Sequence, residues 1–545
     1  MNPLRSSLLN RLTRRNLETH RLLTESLYSI APPASVASAA AEEKRRYSSG
    51  RTTFRSSELL QKIYPLGDPN DANLVSVLDS WVNIGNRVRP WEIQHVIRDL
   101  RKRRSFKQAL EFAEVSETFC KTYPVVQILN FHLVLFLFVS RVHGLASAEA
   151  YFNKLQGKDK NNKSYGALLN CYVRDCLVDK SLTHLQKMKE LGFASTALTY
   201  NNIMCLYTNT NQHEKVPLIF SEMKKNKVSP DNFSYRICMN SYGVRSDIEM
   251  AEIILEEMEK QPHIVVDWNT YSTMAGIYIK AGLSDRAIST LKKMEERMEW
   301  NNGLAYGHLI SHFANLGDKS EMQRIWELQK SNCKRITNND YKVMLAGLVK
   351  LGEIEGAELL FNEWESSGNH FDCRVPNILL NEYRKMGLLE KAETMLNKME
   401  ENGKTPLSSG WGILANGYAQ EEEMRKAFEC MRKALALYVS TAGWQPDSEV
   451  VSRIVGWLGE QGKAEELDMF LGLLSKAVNL DREMYHAMIK ANIRDGKDVD
   501  WVLRGMKAAK IKIDRETEEI LRVKESDQTS SVGESEADDS QQILN

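Results

Sequence analysis

The sequence predicts an all-α protein, an α-solenoid of helix-turn-helix repeats of about 35 residues, and three series of residues predict it. Tyr165, Tyr200, Tyr235, Tyr271, Tyr306 and Tyr341 follow one another at gaps of 35, 35, 36, 35 and 35, and Pro376 and Trp411 carry the frame on at 35 and 35. Glycine stands eleven residues after four of these landmarks, at Gly282, Gly317, Gly352 and Gly387. Alanine recurs in the segment that follows, at Ala251, Ala287, Ala357 and Ala392, with methionine seven residues beyond most of them, at Met258, Met294 and Met399.

Each unit decodes into two amphipathic helices. In YSTMAGIYIKAGLSDRAISTLKKMEER, the apolar set Tyr271, Met274, Ala275 and Tyr278 marks one face of a first helix. Gly282 supplies a left-handed end, and Ser284 or Asp285 offers an N-cap to a second helix carrying Ala287, Leu291 and Met294. Alanine is required where the two helices cross closely, because a larger side chain would force them apart. No alternating, β-rich stretch of comparable strength occurs.

Taken in chain order, residues 1–47 read as a mitochondrial presequence. Every base in the first 41 residues is Arg, RSSLLNRLTRRNLETHRLL sets Leu8, Leu12 and Leu23 among them, and Arg45-Arg46-Tyr47-Ser48-Ser49 resembles a plant presequence-processing pattern with cleavage after Tyr47. A disordered basic tail and a chloroplast address are the alternatives. Residues 48–71 form a linker, 72–120 degenerate opening repeats, and 121–515 an array of about ten to eleven repeats. FHLVLFLFVS from Phe131 reads as a buried helix, too short for a membrane span of ~18 apolar residues. The segment 516–545 is acidic and poor in apolar residues, the composition of a disordered tail.

At 545 residues the chain exceeds one compact core. Its 72 bases balance 72 acids, but residues 1–55 carry ten against four, giving +6, and residues 516–545 carry two against nine, giving −7. The body between is therefore near +1, so no overall field recruits a polyanion, and a nucleic-acid contact needs a local stripe or base-specific chemistry. The eight cysteines are scattered without a CxxC and read as reduced core thiols. His308 and His312 have a spacing that suits a metal, yet no third ligand is in view, so no metal and no cofactor is expected.

At Tyr-x-x-Leu/Met-hydrophobic, Gly, Ala, Met and Pro-Asp, as in YNNIMCLY through SEMKKNKVSPD, the sequence resembles the pentatricopeptide repeat family, in particular its plain class of plant organellar members. The tetratricopeptide repeat has a 34-residue period and Trp, Leu-Gly and Pro landmarks that this chain lacks. The resemblance covers roughly residues 120–515 and implies a right-handed superhelix whose first helices line the inner face. It also implies that successive repeats meet successive nucleotides of single-stranded organellar RNA, with two residues per repeat selecting the base. One is the residue after the landmark; the other stands five before the equivalent place in the next repeat.

Carried onto this chain, the rule gives Asn201 with Asp231, the family's pair for uracil, and Ser272 with Asn302, similar to a pair for adenine. Arg236/Asp267, Lys342/Asp372 and Asn377/Leu407 follow, along with Gly166/Thr196, Gly307/Thr337 and Gly412/Asp447, the last across an insertion of about five residues. Arg236 and Lys342 suit phosphate as well as a base edge. The run RDLRKRRSFK, with Arg101, Lys102, Arg103 and Arg104, is either a phosphate clamp or a solvated helix side. No deaminase HxE and CxxC set, metallonuclease aspartate cluster or Gly-rich phosphate loop accompanies the repeats, so no catalytic residue is assigned. The expected role is that of a mitochondrial matrix protein that binds RNA and acts in its stability, processing, splicing or translation. The alternative is a component of the mitochondrial ribosome, bound to rRNA and protein neighbours.

Overall fold

The computed structural model describes residues 138–522, apart from 156, 405–407 and 439–443, and four isolated earlier positions. The presequence, the linker, most of 72–120 and the basic run at Arg101–Arg104 lie outside the described residues. The described chain is helical throughout, in two units divided between Thr290 and Leu291.

The first unit holds α1 (Leu145–Lys154), α2 (Asn162–Arg174), α3 (Val178–Glu190), α4 (Ala197–Asn209), α5 (Val216–Lys225), α6 (Asn232–Val244), α7 (Ile248–Glu259), α8 (Trp268–Lys280) and the start of α9 (Ser284–Arg297). The second continues with α10 (Gly303–Leu316), α11 (Lys319–Asn332), α12 (Asn338–Lys350), α13 (Ile354–Ser366), α14 (Pro376–Lys385), α15 (Leu389–Glu401) and α16 (Ser408–Gln420). It closes with α17 (Met424–Ala436), α18 (Ser448–Gln461), α19 (Ala464–Leu474), α20 (Arg482–Arg494) and α21 (Asp500–Ala508). From α2 on, even-numbered helices are the first helices of the repeats and odd-numbered helices the second.

Within each unit every first helix packs on the first helix of the next repeat, α2 on α4, α4 on α6 and α6 on α8, then α10 on α12 and onward to α20. A second helix packs on its own first helix and on the next, as α5 does on α4 and α6. Within each unit first helices therefore form a layer, and second helices buttress it.

The residue series explain this packing. The landmark rings are buried, Tyr200, Tyr235 and Tyr306 at 1% exposure and Trp411 at none. Tyr200 joins Met223 and Val228 in one cluster, so the landmark, the methionine and the turn after the second helix form one core. Ala251, Ala287, Ala357 and Ala392 are buried at the crossings, as their spacing predicts. At Gly459 in α18 even a Cβ would come within 3.2 Å of the Ala487 Cα of α20, so neighbouring first helices there touch backbone to backbone.

The turn eleven residues past each landmark is left-handed in all eight repeats from Tyr165 to Trp411. Glycine fills it at Gly282, Gly317, Gly352 and Gly387, but Cys176, Asn211, Ser246 and Glu422 adopt the same positive φ with side chains. The bond that requires it closes the helix end, as where Asp318 N–H donates to the Phe313 carbonyl at 3.0 Å. α9 begins at Ser284 itself, so Ser284 is not the cap expected from sequence; Asp285 lies in the first turn, where its charge complements the helix dipole.

A second tyrosine series, seven residues past the landmark, holds repeats to one another. Tyr278 donates to Glu252 at 2.7 Å, Tyr383 to Glu358 at 2.9 Å and Tyr418 to Glu393 at 2.7 Å, each glutamate lying on the second helix of the preceding repeat. Glu252 also receives Arg286, and Glu358 receives Lys391. Tyr172, Glu149 and Lys180 form the same triad. Burial and the glutamate push these tyrosines' pKa values up.

Two expectations change here. Residues 515–522 are helical and Thr517 is fully buried, so ordered structure runs past the boundary placed at 515, because Thr517 hydrogen-bonds His486 at 2.8 Å. The cysteines are not all core thiols: Cys171, Cys205, Cys238 and Cys430 are buried, but Cys333 and Cys373 are half-buried and Cys176 is exposed. Among the described residues no helix is long and apolar enough to cross a membrane.

Left-handed backbone strains a residue that has a Cβ by ~1 kcal/mol or more. Ser246→Gly and Cys176→Gly should therefore each raise stability by about 0.5–1 kcal/mol, read as a higher denaturation midpoint. For Glu358, burial opposes ionisation, but the Lys391 and Tyr383 hydrogen bonds outweigh it and hold the carboxyl below its usual value. Its stabilisation is present above the unfolded value of about 4.3 and is lost as pH falls through the lower folded one. Lys391→Met should thus destabilise by ~0.5 kcal/mol at pH 7, and the difference should shrink as acidification carries the pH through the lowered folded value, in paired denaturant titrations.

Candidate nucleic-acid interface

The second selector position in most repeats is the N-cap of the following first helix. Thr196 precedes α4, Asp231 α6, Asp267 α8, Asn302 α10, Thr337 α12 and Asp447 α18. A short polar side chain there satisfies orphan N–H groups of the helix start, so helix formation alone selects Asp, Asn or Thr. Asp231 shows the mechanism, accepting from Ser234 N–H at 2.8 Å.

The residue after each landmark lies on the preceding first helix, beside that cap. Asn201 Nδ2 donates to Asp231 Oδ1 at 3.1 Å, and Asn201 Oδ1 accepts from Ser234 Oγ at 2.7 Å. The amide is therefore oriented, with oxygen toward Ser234 and nitrogen toward the carboxylate, and it is only 2% exposed. One amide hydrogen of Asn201 and the Oδ2 of exposed Asp231 take no part in these bonds.

Arg236 meets Asp267 in the same way, its Nη1 at 3.1 and 2.8 Å from the two carboxylate oxygens. Asp267 also accepts from Thr270 N–H at 2.9 Å, so cap and ion pair share one carboxylate. Ser272, in the first unit, is buried, and Asn302, in the second, accepts from Ala305 N–H at 3.3 Å.

Further along, the pairing departs from the sequence rule. Asp372 is gripped by Arg374, with bonds of 2.8 Å to each oxygen, rather than by Lys342 alone. Burial acts to raise its pKa, but the Arg374 bonds and the charges of Arg374 and Lys342 together hold it below the usual carboxylate range. Asn377 Nδ2 donates to Ser409 Oγ at 2.9 Å, and Leu407, its expected partner, lies outside the described residues. At Gly412 the space for a side chain is taken, since a Cβ would stand 2.8 Å from the Trp444 ring. Trp444 lies just after the insertion that follows α17, and its indole fills the selector place of that repeat. Gly166 is open, with nothing within 4 Å of a Cβ.

The register also continues where the sequence reading stopped. Ser452 follows the landmark place Val451, with Asp481 capping α20, and His486 follows Tyr485, with Asp514 before the helix at 515–522. His486 is 4% exposed and Arg482 pairs with Asp514. Both pairs escaped notice because the insertion shifts the frame and Val451 replaces the aromatic landmark. The signal was present in the two capping aspartates.

Charge on the second helices is of another kind. Lys189 pairs with Glu222, Lys224 with Glu257 at 2.9 Å, Arg324 with Glu295 at 2.8 Å and Lys391 with Glu358 at 2.6 Å, each across neighbouring repeats. That face neutralises itself. His308 and His312 stand with ring centroids 6.4 Å apart on α10, and among the described residues no group of three or more His, Cys, Asp or Glu is placed to hold a metal ion.

Models of the PPR repeat match residues 163–193, 233–262, 269–298, 340–369 and 375–403, and a PPR repeat family model matches 195–244. A mitochondrial pentatricopeptide repeat-containing protein of Arabidopsis thaliana is 43% identical over 85% of this chain and 94% of its own length. A second from that plant, also described as mitochondrial, is 33% identical over 78% of this chain and 86% of its own length. A large ribosomal subunit protein of Arabidopsis thaliana is 32% identical over 82% of this chain and 90% of its own.

Asp267 separates capping from pairing. Asp267→Asn keeps the cap and loses the Arg236 charge pair, and should lower stability by ~0.5 kcal/mol, whereas Asp267→Ala loses both and should cost about 1–2 kcal/mol. Equal midpoints for the two variants in urea unfolding would show that the cap contributes nothing.

Proposed function

The chain belongs to the pentatricopeptide repeat family, and from that premise we propose that it binds single-stranded RNA in the mitochondrion along the layer of first helices. It acts there by occupancy and not by catalysis. Covering a segment blocks nucleases or a competing hairpin, and a held segment is presented to processing, splicing or translation factors. The mitochondrial names of the two similar plant proteins support the compartment, and the matrix is where organellar transcripts are handled.

The observation that carries this reading is the orientation of the Asn201 amide by Asp231 and Ser234. A free amide presents donor and acceptor interchangeably by rotation, whereas a carboxylate neighbour fixes which edge faces a base. The uracil edge offers carbonyl acceptors around an N–H, and the remaining Asn201 hydrogen suits an acceptor. Because Asn201 is almost fully covered, a base reaches it only as the two flanking first helices separate. Each hydrogen bond contributes ~1 kcal/mol and each stacked base about 1–3, so several repeats must act together. Arg236, tied to Asp267, would give a phosphate or base contact only by exchanging its carboxylate partner.

A second reading, a structural component of the mitochondrial ribosome, draws on the similarity to a large ribosomal subunit protein. Its surface would then meet folded rRNA and protein neighbours.

Asn201→Ala should weaken binding about fivefold to tenfold, near 1 kcal/mol, on an RNA placing uracil at that repeat and leave other bases unaffected. Binding assays with four single-base variants of one RNA measure it; an equal loss on all four would remove the base-reading role. Sedimentation of the whole protein pool with ribosomal particles at high salt would favour the ribosomal reading over free transcript binding.

A further inference from the structure

The described array ends in a groove of about 620 Å³ along α21 and the turn after it. Its floor is apolar, made by Leu503, Ile511 and Ile513, and its rim carries Arg504, Lys507, Lys510 and Lys512. The repeat frame explains why it is open. Ile511 N–H donates to the Met506 carbonyl at 2.9 Å as Val228 N–H does to Met223 at 3.1 Å, so Leu503 stands where Phe220 stands in the earlier repeat. Phe220 is 2% exposed because Tyr235 of the next first helix packs edge-on to it at 5.1 Å. After α21 the corresponding residue is Glu518, four beyond the capping Asp514, and no aromatic ring closes the site. Leu503 and Ile511 stay half-buried and Ile513 is 53% exposed.

Four cations gather here, and unlike Lys189, Lys224, Arg324 and Lys391, which meet a glutamate of the neighbouring repeat, none of them is engaged by an ion pair among the described residues. Arg504 donates only to the Asp500 carbonyl, at 3.3 Å.

We propose that this chain's own acidic segment, ESEADDSQQIL at 534–544, docks in the groove and caps the stack. Glu534, Glu536, Asp538 and Asp539 match the four rim cations, and Ile543 and Leu544 supply the apolar pair that the floor lacks. The helix at 515–522 leads away from the groove toward that segment. Eleven residues lie between Arg522 and Glu534, a span of up to ~40 Å when extended, which gives the segment a local concentration on the order of millimolar. RNA fits the site less well, because these cations stand on a second helix and the turn after it and not on the first helices that carry the polar pairs. Terminal repeats of a solenoid require a polar outer cover, and the segment provides one.

Carbodiimide coupling of the full chain, read by mass spectrometry on a mixture of two isotope-labelled pools, tests the proposal. Links are expected from Lys507, Lys510 or Lys512 to Glu534, Glu536, Asp538 or Asp539 within one chain. They should vanish in Lys507→Glu/Lys510→Glu/Lys512→Glu and return when Glu534→Lys, Glu536→Lys and Asp538→Lys are added. Amide exchange over 534–544 should be about tenfold faster in the triple variant. Links only between differently labelled copies, no links, or unchanged exchange would overturn it. So would a triple variant that loses affinity for a generic single-stranded RNA while tail exchange stays the same, which would assign the cations to RNA.

Discussion

Everything in this molecule depends on one packing requirement: a two-helix hairpin of this size cannot bury its own apolar face and must borrow the first helix of the next repeat. Phe220 under Tyr235 shows a second-helix ring that becomes core only once the following unit is laid on, while Tyr200, Met223 and Val228 form the smaller core that one repeat makes by itself. The spacing of about 35 residues is the consequence, since each landmark must reappear where its predecessor leaves a gap. Where the series ends, after α21, that gap stays lined with aliphatic side chains.

The same requirement fixes the polar ladder. First helices lie against one another, so the residue after a landmark is brought beside the cap of the next first helix. Asp231 and Asp267 are there because a helix start needs an acceptor, and that acceptor then holds Asn201 or Arg236. A surface capable of reading bases thus grows from helix capping. It also explains why the positions vary: Gly166 leaves the place open, while Gly412 admits the ring of Trp444.

Electrostatics divides the two layers. Second helices exchange lysine and glutamate between neighbours, and the tyrosines seven past the landmark tie those glutamates to the next repeat. Pairs of this kind are individually weak, yet they recur and fix the register of one hairpin on the next. Where second-helix charges are paired in this way, a ligand is attracted by specific groups and not by a general field.

The sequence by itself determined the helical repeat, the left-handed turns and the alanine crossings, because helix periodicity and close packing leave residue types at fixed intervals. Gly282 and Ala287 were legible for that reason. The resemblance to the repeat family, carried onto the sequence, paired Asn201 with Asp231, and the two side chains are hydrogen-bonded. Only the tertiary structure decided that Asn201 is covered, that Asp372 turns to Arg374, that Asn377 meets Ser409, and that Tyr278 bridges to Glu252. It also carried the ladder on to Ser452 and His486 past the insertion, where the capping aspartates Asp481 and Asp514 keep the frame. Those contacts depend on rotamers, and on the few ångströms by which one helix is set against its neighbour, and no spacing along the chain encodes either.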